Sequence, residues 1–251
     1  MTYSNSTMEI PAKIVINGDS DNCASNRFED VEIEAGLTLR ILDIQFEEDG
    51  FVEAPIERFG ISCVLDGQFE GRVEGLSELV GDESQLRVFY WTGVRSVQLS
   101  YAAGPHLRNV QLLISPDLVR EKYCGSQPIL PELLQSAFDS DEGGYFLDVR
   151  GLPPGLRVVS EQAIRCVLPG ALRQSYLHGK ALELMSLGID EIRQAEPSKQ
   201  AILLSVTDVE RVRQAREILL ENRASPPTLS QLSRAVGLNE FKLKQGFRFV
   251  F

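Results

Sequence analysis

Thr228-Leu-Ser-Gln-Leu-Ser-Arg-Ala-Val-Gly-Leu-Asn-Glu-Phe-Lys-Leu-Lys-Gln-Gly-Phe-Arg-Phe-Val-Phe251 reads as two short helices joined by a glycine turn. Pro226 and Pro227 close whatever precedes them, because proline has no amide to donate and cannot continue a helix. Thr228 supplies an N-cap hydroxyl, and Leu229, Leu232 and Val236 share one helical face. Gly237 permits the positive φ of a tight helix stop. Leu238 packs back, Asn239 caps the next helix, and Leu243 and Phe247 form an apolar i, i+4 pair. Ser233 is the small residue at the helix crossing, and Leu232, Val236, Leu238 and Leu243 form the wedge that sets it. Gly246 lies inside the second helix and weakens it by ~1 kcal/mol relative to alanine.

Such a pair is a helix-turn-helix, whose second helix lies in the DNA major groove. The side chains away from the wedge are Asn239, Glu240, Phe241, Lys242, Lys244, Gln245 and Arg248. Lys and Gln read base edges, and Lys and Arg hold phosphates. The same spacing suits a helical hairpin with a solvated charged face, and spacing alone leaves the two readings open.

Net charge is −11, the wrong sign for a nucleic-acid binder, until the chain is divided. Residues 1–198 carry 16 Lys+Arg against 31 Asp+Glu, whereas residues 199–251 carry 9 against 5. Positive charge is therefore concentrated where phosphate contacts are needed, although the excess is modest and predicts weak, salt-sensitive binding. At 251 residues the chain can bury a real core, with two domains expected. No apolar run approaches the ~20 residues of a membrane span, and Met1–Thr7 is a polar tail without signal-peptide order. Cys23, Cys63, Cys124 and Cys166 are widely spaced, which fits reduced thiols rather than a zinc or redox motif.

The front half alternates. Short runs at Lys13–Ile16, Leu37–Phe46, Gly60–Leu65, Gln68–Val73, Leu86–Trp91, Val94–Tyr101 and Arg108–Ser115 predict strands of a sandwich or barrel. Asp66-Gly67 predicts a hairpin turn, and Thr92-Gly93 a second one that pairs Tyr90 with Arg95 and Phe89 with Ser96. His106, after Gly104-Pro105, is expected in a turn. With only His106 and His178 present, a histidine-rich metal site is not expected. No Ser-His-Asp set or Walker loop appears, so a non-enzyme is expected.

A binding pocket is the better expectation. In the predicted hairpin, Leu86, Val88, Val97 and Leu99 form a core face, and Arg87, Phe89, Trp91, Ser96 and Gln98 form the other. Aromatics beside an arginine hold a flat anionic ligand by stacking and charge. The candidate effector residues are Arg87, Phe89, Trp91, Gln98 and Tyr101; the competing role is packing against helices. Further on, Leu130, Leu133, Leu134 and Ala137 share a helical face, Ser160 resembles an N-cap, and Pro169-Gly170 interrupts the helix that follows. Leu172, Tyr176, Leu177, Ala181, Leu184 and Met185 then form an apolar stripe, read as core in part and dimer interface in part. Glu196–Gln200 is the expected linker, and Ser205 or Thr207 starts the next helix.

Ser175-Tyr-Leu-His-Gly-Lys-Ala-Leu-Glu-Leu-Met185, then Thr207-Asp-Val-Glu-Arg-Val-Arg-Gln-Ala-Arg-Glu-Ile-Leu-Leu220, Pro226-Pro-Thr-Leu229 and Val236–Phe251, extend the pattern upstream. In order and spacing this series resembles the AraC family of bacterial transcription regulators, in the branch that includes the pyochelin-siderophore regulator. The local match covers roughly 171–251, and residues 1–125 resemble that branch only in layout.

The resemblance implies an α+β regulator. It would have a cupin-like effector-binding β-barrel in residues 1–125, a helical dimerisation and coupling region in 126–196, and the first half of an AraC-type DNA-binding domain in 197–251. It implies base contacts from Phe241, Lys244 and Gln245 and backbone contacts from Lys242 and Arg248, with Thr228 and Asn239 beside them. It also implies a homodimer through Leu172, Tyr176 and Leu184, a cytoplasmic location, no tightly bound cofactor, and a small effector. A ferric siderophore is the natural candidate, with control of iron-uptake or siderophore genes; the alternatives are another small aromatic ligand, or a protein-interaction or antagonist module. The family's linker helix and second helix-turn-helix do not follow Phe251, so a fragment with weak DNA binding is expected.

Overall fold

The computed structural model describes residues 14–15, 27–45, 50–54, 58–73, 79–92, 97–101, 104, 106–124, 129–139, 143–194 and 201–251, with backbone alone at 14–15, 50–54, 72–73, 79, 97–99 and 101. Among these, the strands are β1 (Ile14–Val15), β2 (Arg27–Glu34), β3 (Leu37–Gln45), β4 (Gly50–Ala54), β5 (Arg58–Asp66), β6 (Phe69–Val73), β7 (Leu79–Gly81), β8 (Gln85–Thr92), β9 (Val97–Tyr101), β10 (His106–Ile114), β11 (Gly144–Gly151) and β12 (Ile202–Ser205). The helices are α1 (Pro116–Tyr123), α2 (Glu132–Asp139), α3 (Pro154–Ile164), α4 (Gly170–Gln194), α5 (Val206–Glu221), α6 (Leu229–Val236) and α7 (Glu240–Val250). None is long and apolar enough to cross a membrane.

The strands build a seven-stranded antiparallel sheet, β12-β11-β8-β5-β10-β3-β2, and a five-stranded one, β1-β4-β9-β6-β7. No pairing among the described residues joins the two, so the expected closed cupin-like barrel is corrected to two open sheets. The reason lies in the turns. Asp66-Gly67 does not close a hairpin: β5 pairs with β8 and β10, while β6 pairs with β7 and β9. Gly67 has φ +84, and a Cβ there would sit 2.5 Å from the His106 carbonyl oxygen, so it marks a corner where the chain changes sheets. Gly93, Arg95 and Ser96 of the second expected hairpin lie outside the described residues, but both edges of β8 are taken by β5 and β11. Tyr90 lies opposite Phe59 and Phe146, and Phe89 lies opposite Gly60 and Leu147.

One face of the large sheet is the main core. Leu39, Ile41, Ile61, Cys63, Val88, Tyr90, Val110 and Leu112 pack beneath α1–α4 through Val119, Leu134, Phe138, Leu156, Val159, Leu177, Ala181, Leu184 and Ile189. Phe138 fixes α2 by meeting Tyr90 at 4.5 Å and Phe59 at 5.6 Å between ring centroids. Each such side chain stabilises by about 1.5–3 kcal/mol when fully buried. The interruption at Pro169-Gly170 is present, as α4 starts at Gly170. Ser160 is not an N-cap: α3 begins at Pro154 behind extended Pro153 and leaves Ser160 fully buried in mid-helix. His106 is not in a turn but opens β10, with its Nε2 2.8 Å from Asp43 Oδ1.

Three elements escape a reading by alternation alone. β2 (Arg-Phe-Glu-Asp-Val-Glu-Ile-Glu) alternates, but its charges read as a solvated run; it is an edge strand with Glu32 and Glu34 facing solvent. β11 lies in the region expected to be helical, 126–196, and β12 in the segment expected to open the DNA-binding domain, 197–251; together they extend the sheet beyond β8. The expected linker Glu196–Gln200 lies outside the described residues.

Candidate functional site

The three C-terminal helices form one unit, and each is fixed by its cap. At α5, the Ser205 hydroxyl accepts from the Asp208 amide at 3.1 Å and the Asp208 carboxylate accepts from the Ser205 amide at 2.9 Å, a capping box. At α6, Thr228 and Gln231 make a second. Gly237 takes the left-handed conformation, φ +69, and the Leu238 amide donates to the Ser233 carbonyl at 3.0 Å. Asn239 then caps α7 by accepting from the Lys242 amide at 2.7 Å.

Leu232, Val236, Leu238 and Leu243 are buried against Val209, Val212 and Ala215 of α5, with small Ser233 buried among them. Gly246 is needed where α7 crosses α5, since a Cβ there would lie 2.5 Å from Val212 Cγ2.

The seven side chains predicted to meet DNA divide into groups. Phe241, 70% exposed, with exposed Lys244 and Arg248, occupies positions i, i+3 and i+7, one stripe along the outer face of α7. Thr228 and Asn239 use their side-chain oxygens as caps. Lys242 and Gln245 turn toward the unit's own base. Lys242 Nζ lies 2.5 Å from Asp208 Oδ2, and Gln245 Nε2 donates to the Ala201 carbonyl at 3.0 Å, just before β12. Burial alone would raise the Asp208 carboxyl; hydrogen bonds from Lys242 and the Ser205 amide outweigh it and hold the group below its usual value. Asp208 was missed from sequence, although the Ser-x-x-Asp spacing of a capping box is legible there.

The predicted effector residues also separate. Arg87, Phe89 and Trp91 share a face of β8, as alternation requires, but they meet different neighbours. Trp91 packs edge-on to Tyr145, 6.2 Å between centroids, and Phe89 stacks on Trp91 at 5.8 Å. Both belong to the apolar cluster that includes Leu147, Leu204, Val209, Val212 and Phe249, so they form the seat of the helical unit on the sheet. Phe89 and Trp91 thus pack against the helical unit. Arg87 points instead to β6 and β7: its Nη1 donates to the Val80 carbonyl at 2.7 Å, and its guanidinium lies 5.3 Å from the Phe69 ring centroid. The side chains of Gln98 and Tyr101 lie outside the described residues.

Of the residues predicted at a dimer interface, Leu184 is corrected to core, being 2% exposed. Leu172 is 65% exposed and Tyr176 half-buried, beside exposed Val167 and Leu168 at the start of α4. Among the described residues, no group of three or more His, Cys, Asp or Glu is arranged to hold a metal ion.

Comparison with known proteins gives these arrangements a family. The solved structures similar to the chain include an apo form of a ToxT variant from Vibrio cholerae, with TM-score 0.40 and 10% identity over 86% of this chain and 75% of that one. They also include unsaturated-fatty-acid-bound wild-type ToxT from the same organism, with TM-score 0.36 and 11% identity over 86% and 74%. The regulatory protein PchR of Pseudomonas aeruginosa is 34% identical over 99 residues, 39% of this chain and 33% of PchR, so the match spans about a third of that relative's length. The family model for the N-terminal domain of regulatory protein PchR matches residues 25–204, more than two thirds of the chain. On that match the chain belongs to the PchR family of AraC-type regulators.

Proposed function

We propose that this chain senses a small effector and makes the first DNA contact of a transcription regulator. The carrying observation is the stripe Phe241, Lys244 and Arg248, exposed on a capped helix within the net-positive segment 199–251. Lys244 and Arg248 meet phosphates or base edges, and Phe241 packs on thymine methyls or sugar. Lys242 and Gln245 hold the helix at its working angle. The seat on β8 gives the effector a route to this helix, because Trp91 under the helical unit and Arg87 between the sheets lie on one strand.

A ferric siderophore is the first effector to test, on the resemblance to the pyochelin branch, with iron-uptake or siderophore genes as targets. Another small aromatic ligand is the runner-up. Exposed Val167, Leu168 and Leu172 support a homodimer through the start of α4, and a role on DNA is the support for a cytoplasmic location.

The test is anisotropy of labelled promoter DNA as a function of salt. Lys244→Glu with Arg248→Glu should reduce the slope of log K against log salt by roughly 2, close to one per lost phosphate contact. An unchanged affinity and slope would remove α7 from the DNA interface. Titrating ferric and metal-free siderophore against Trp91 emission tests the effector, with a saturable change expected for the ferric form only. A response to other aromatic ligands alone would favour the runner-up.

A further inference from the structure

We infer that the face of the seven-stranded sheet opposite α1–α4 carries a carboxylate-binding site at Arg87, with a polar row leading away from it. The inference rests on the effector-sensing role proposed above and names the chemical class of ligand.

Two arginines are buried on this face and the fold treats them differently. Arg40 on β3 is 4% exposed, and its Nε and Nη2 edge holds the Asp30 carboxylate at 2.7 and 2.8 Å, the two-pronged geometry that arginine and carboxylate favour. Arg87 on β8 is 5% exposed, yet no carboxylate lies within ion-pair distance among the described residues. Its two bonds both leave from Nη1, to the neutral Val80 carbonyl at 2.7 Å and to Gln85 Oε1 at 3.3 Å. Nε and Nη2, the edge that Arg40 uses, donate to nothing among the described residues. Buried charges in proteins are otherwise paired, since removing a cation from water carries a penalty of several kcal/mol. Burial pushes Arg87 down to about 10, which leaves it charged near neutrality and in want of an anion.

The surroundings are built for a ligand with more than one polar group. Strand register places Arg40 opposite Gln111, Gln111 opposite Ser62, and Ser62 opposite Arg87. These four neighbours form one row across β3, β10, β5 and β8, spanning about 14 Å at ~4.8 Å per strand. Gln111 and Ser62 are buried, and Asn109 is buried one step along β10. Ser62 is satisfied, donating to Asn109 Oδ1 at 3.0 Å and accepting from Gln111 Nε2 at 3.4 Å. Asn109 Nδ2 and Gln111 Oε1 have no partner among the described residues. A planar organic carboxylate seated on Arg87 would find one donor and one acceptor beside it. A purely structural Arg87 would tie β8 to β7 through the Val80 carbonyl and discriminate nothing.

The test uses the whole chain and the probes formate, acetate and benzoate, with neutral benzamide as control. The readout is the arginine Nε–H NMR resonance of Arg87, assigned by its absence in Arg87→Lys, alongside thermal unfolding. A saturable shift of that resonance and a raised Tm with the carboxylates, but not with benzamide, is expected. Arg87→Lys, which keeps the charge but loses the fork, should weaken benzoate roughly 10- to 100-fold. Gln111→Ala keeps Arg87 intact should the first variant fold poorly, and formate and acetate should still shift the Arg87 resonance in it, because Gln111 lies two strands away. No response to any carboxylate, or an equal response to benzamide, overturns the site. These readings do not depend on DNA. A chain that binds promoter DNA while its Arg87 resonance ignores carboxylates loses this site and keeps its regulatory role; the reverse pattern does the opposite.

Discussion

Replacing Gly246 by alanine sets two physical effects against each other, and the structure says which wins. Helix propensity favours alanine by ~1 kcal/mol in a helix interior. Against it, the new methyl would sit 2.5 Å from Val212 Cγ2, with Val212 Cβ at 3.6 Å and Cγ1 at 3.7 Å. Carbon atoms rest at about 3.5–4.0 Å, so the helices or the valine must yield by about 1 Å. Val212 is fully buried, and a helical valine holds one χ1 rotamer, so it cannot swing aside. Overpacking of this kind costs about 1–3 kcal/mol. The balance is a loss of roughly 1 kcal/mol, which corresponds to a fall of about 0.3–0.5 M in the urea midpoint at the slopes usual for such chains.

Trp91 emission is the natural assay, because this sole tryptophan lies in the same cluster as Val212. On a Val212→Ala background the methyl has room, and Gly246→Ala should become neutral or stabilising, a coupling of about 1–3 kcal/mol in the double-mutant cycle. A midpoint that rises for Gly246→Ala alone would mean that propensity dominates and that α5 and α7 do not approach as closely as described.

Other expectations follow from the same contacts. Asp208 titrates below its unfolded value, so its contribution to stability is complete above about pH 4 and is lost as pH falls through the lower folded value. Asp208→Asn should flatten that acid limb in pH-dependent unfolding, and an unaltered limb would dismiss the Lys242 pairing. Tyr145→Ala opens the seat under the helical unit; it should red-shift Trp91 emission and cost about 3 kcal/mol, and unshifted emission would argue against the seat. Burial pushes the Cys63 thiol up to about 12, against a weaker opposing hydrogen bond with Ser160. At pH 8 roughly one thiol in ten thousand is then ionised, so mass-mapped alkylation should reach Cys63 only in denaturant; native labelling would contradict its burial.

The sequence by itself determined the local features. Caps at Thr228 and Asn239, the left-handed stop at Gly237 and the wedge of Leu232, Val236, Leu238 and Leu243 were all legible, because each depends on residues within one or two helical turns. Alternation likewise located β3, β5, β8 and β10, since a period of two reports which residues share a face. It does not report which strand lies alongside or what covers that face. Those are contacts between residues far apart in the chain, and only the tertiary structure decided them. So Asp66-Gly67 became a corner between sheets rather than a hairpin, and β11 and β12, with no helix or strand signature strong enough to stand alone, were recruited to the sheet edge. Phe89 and Trp91 became a seat for helices arriving more than a hundred residues later, while Arg87, two positions before Phe89, was left buried without a counter-ion among the described residues. Arg40, Ser62 and Gln111 had been single polar interruptions in apolar runs. With Arg87 they became a row only when four strands, distant in sequence, came into register.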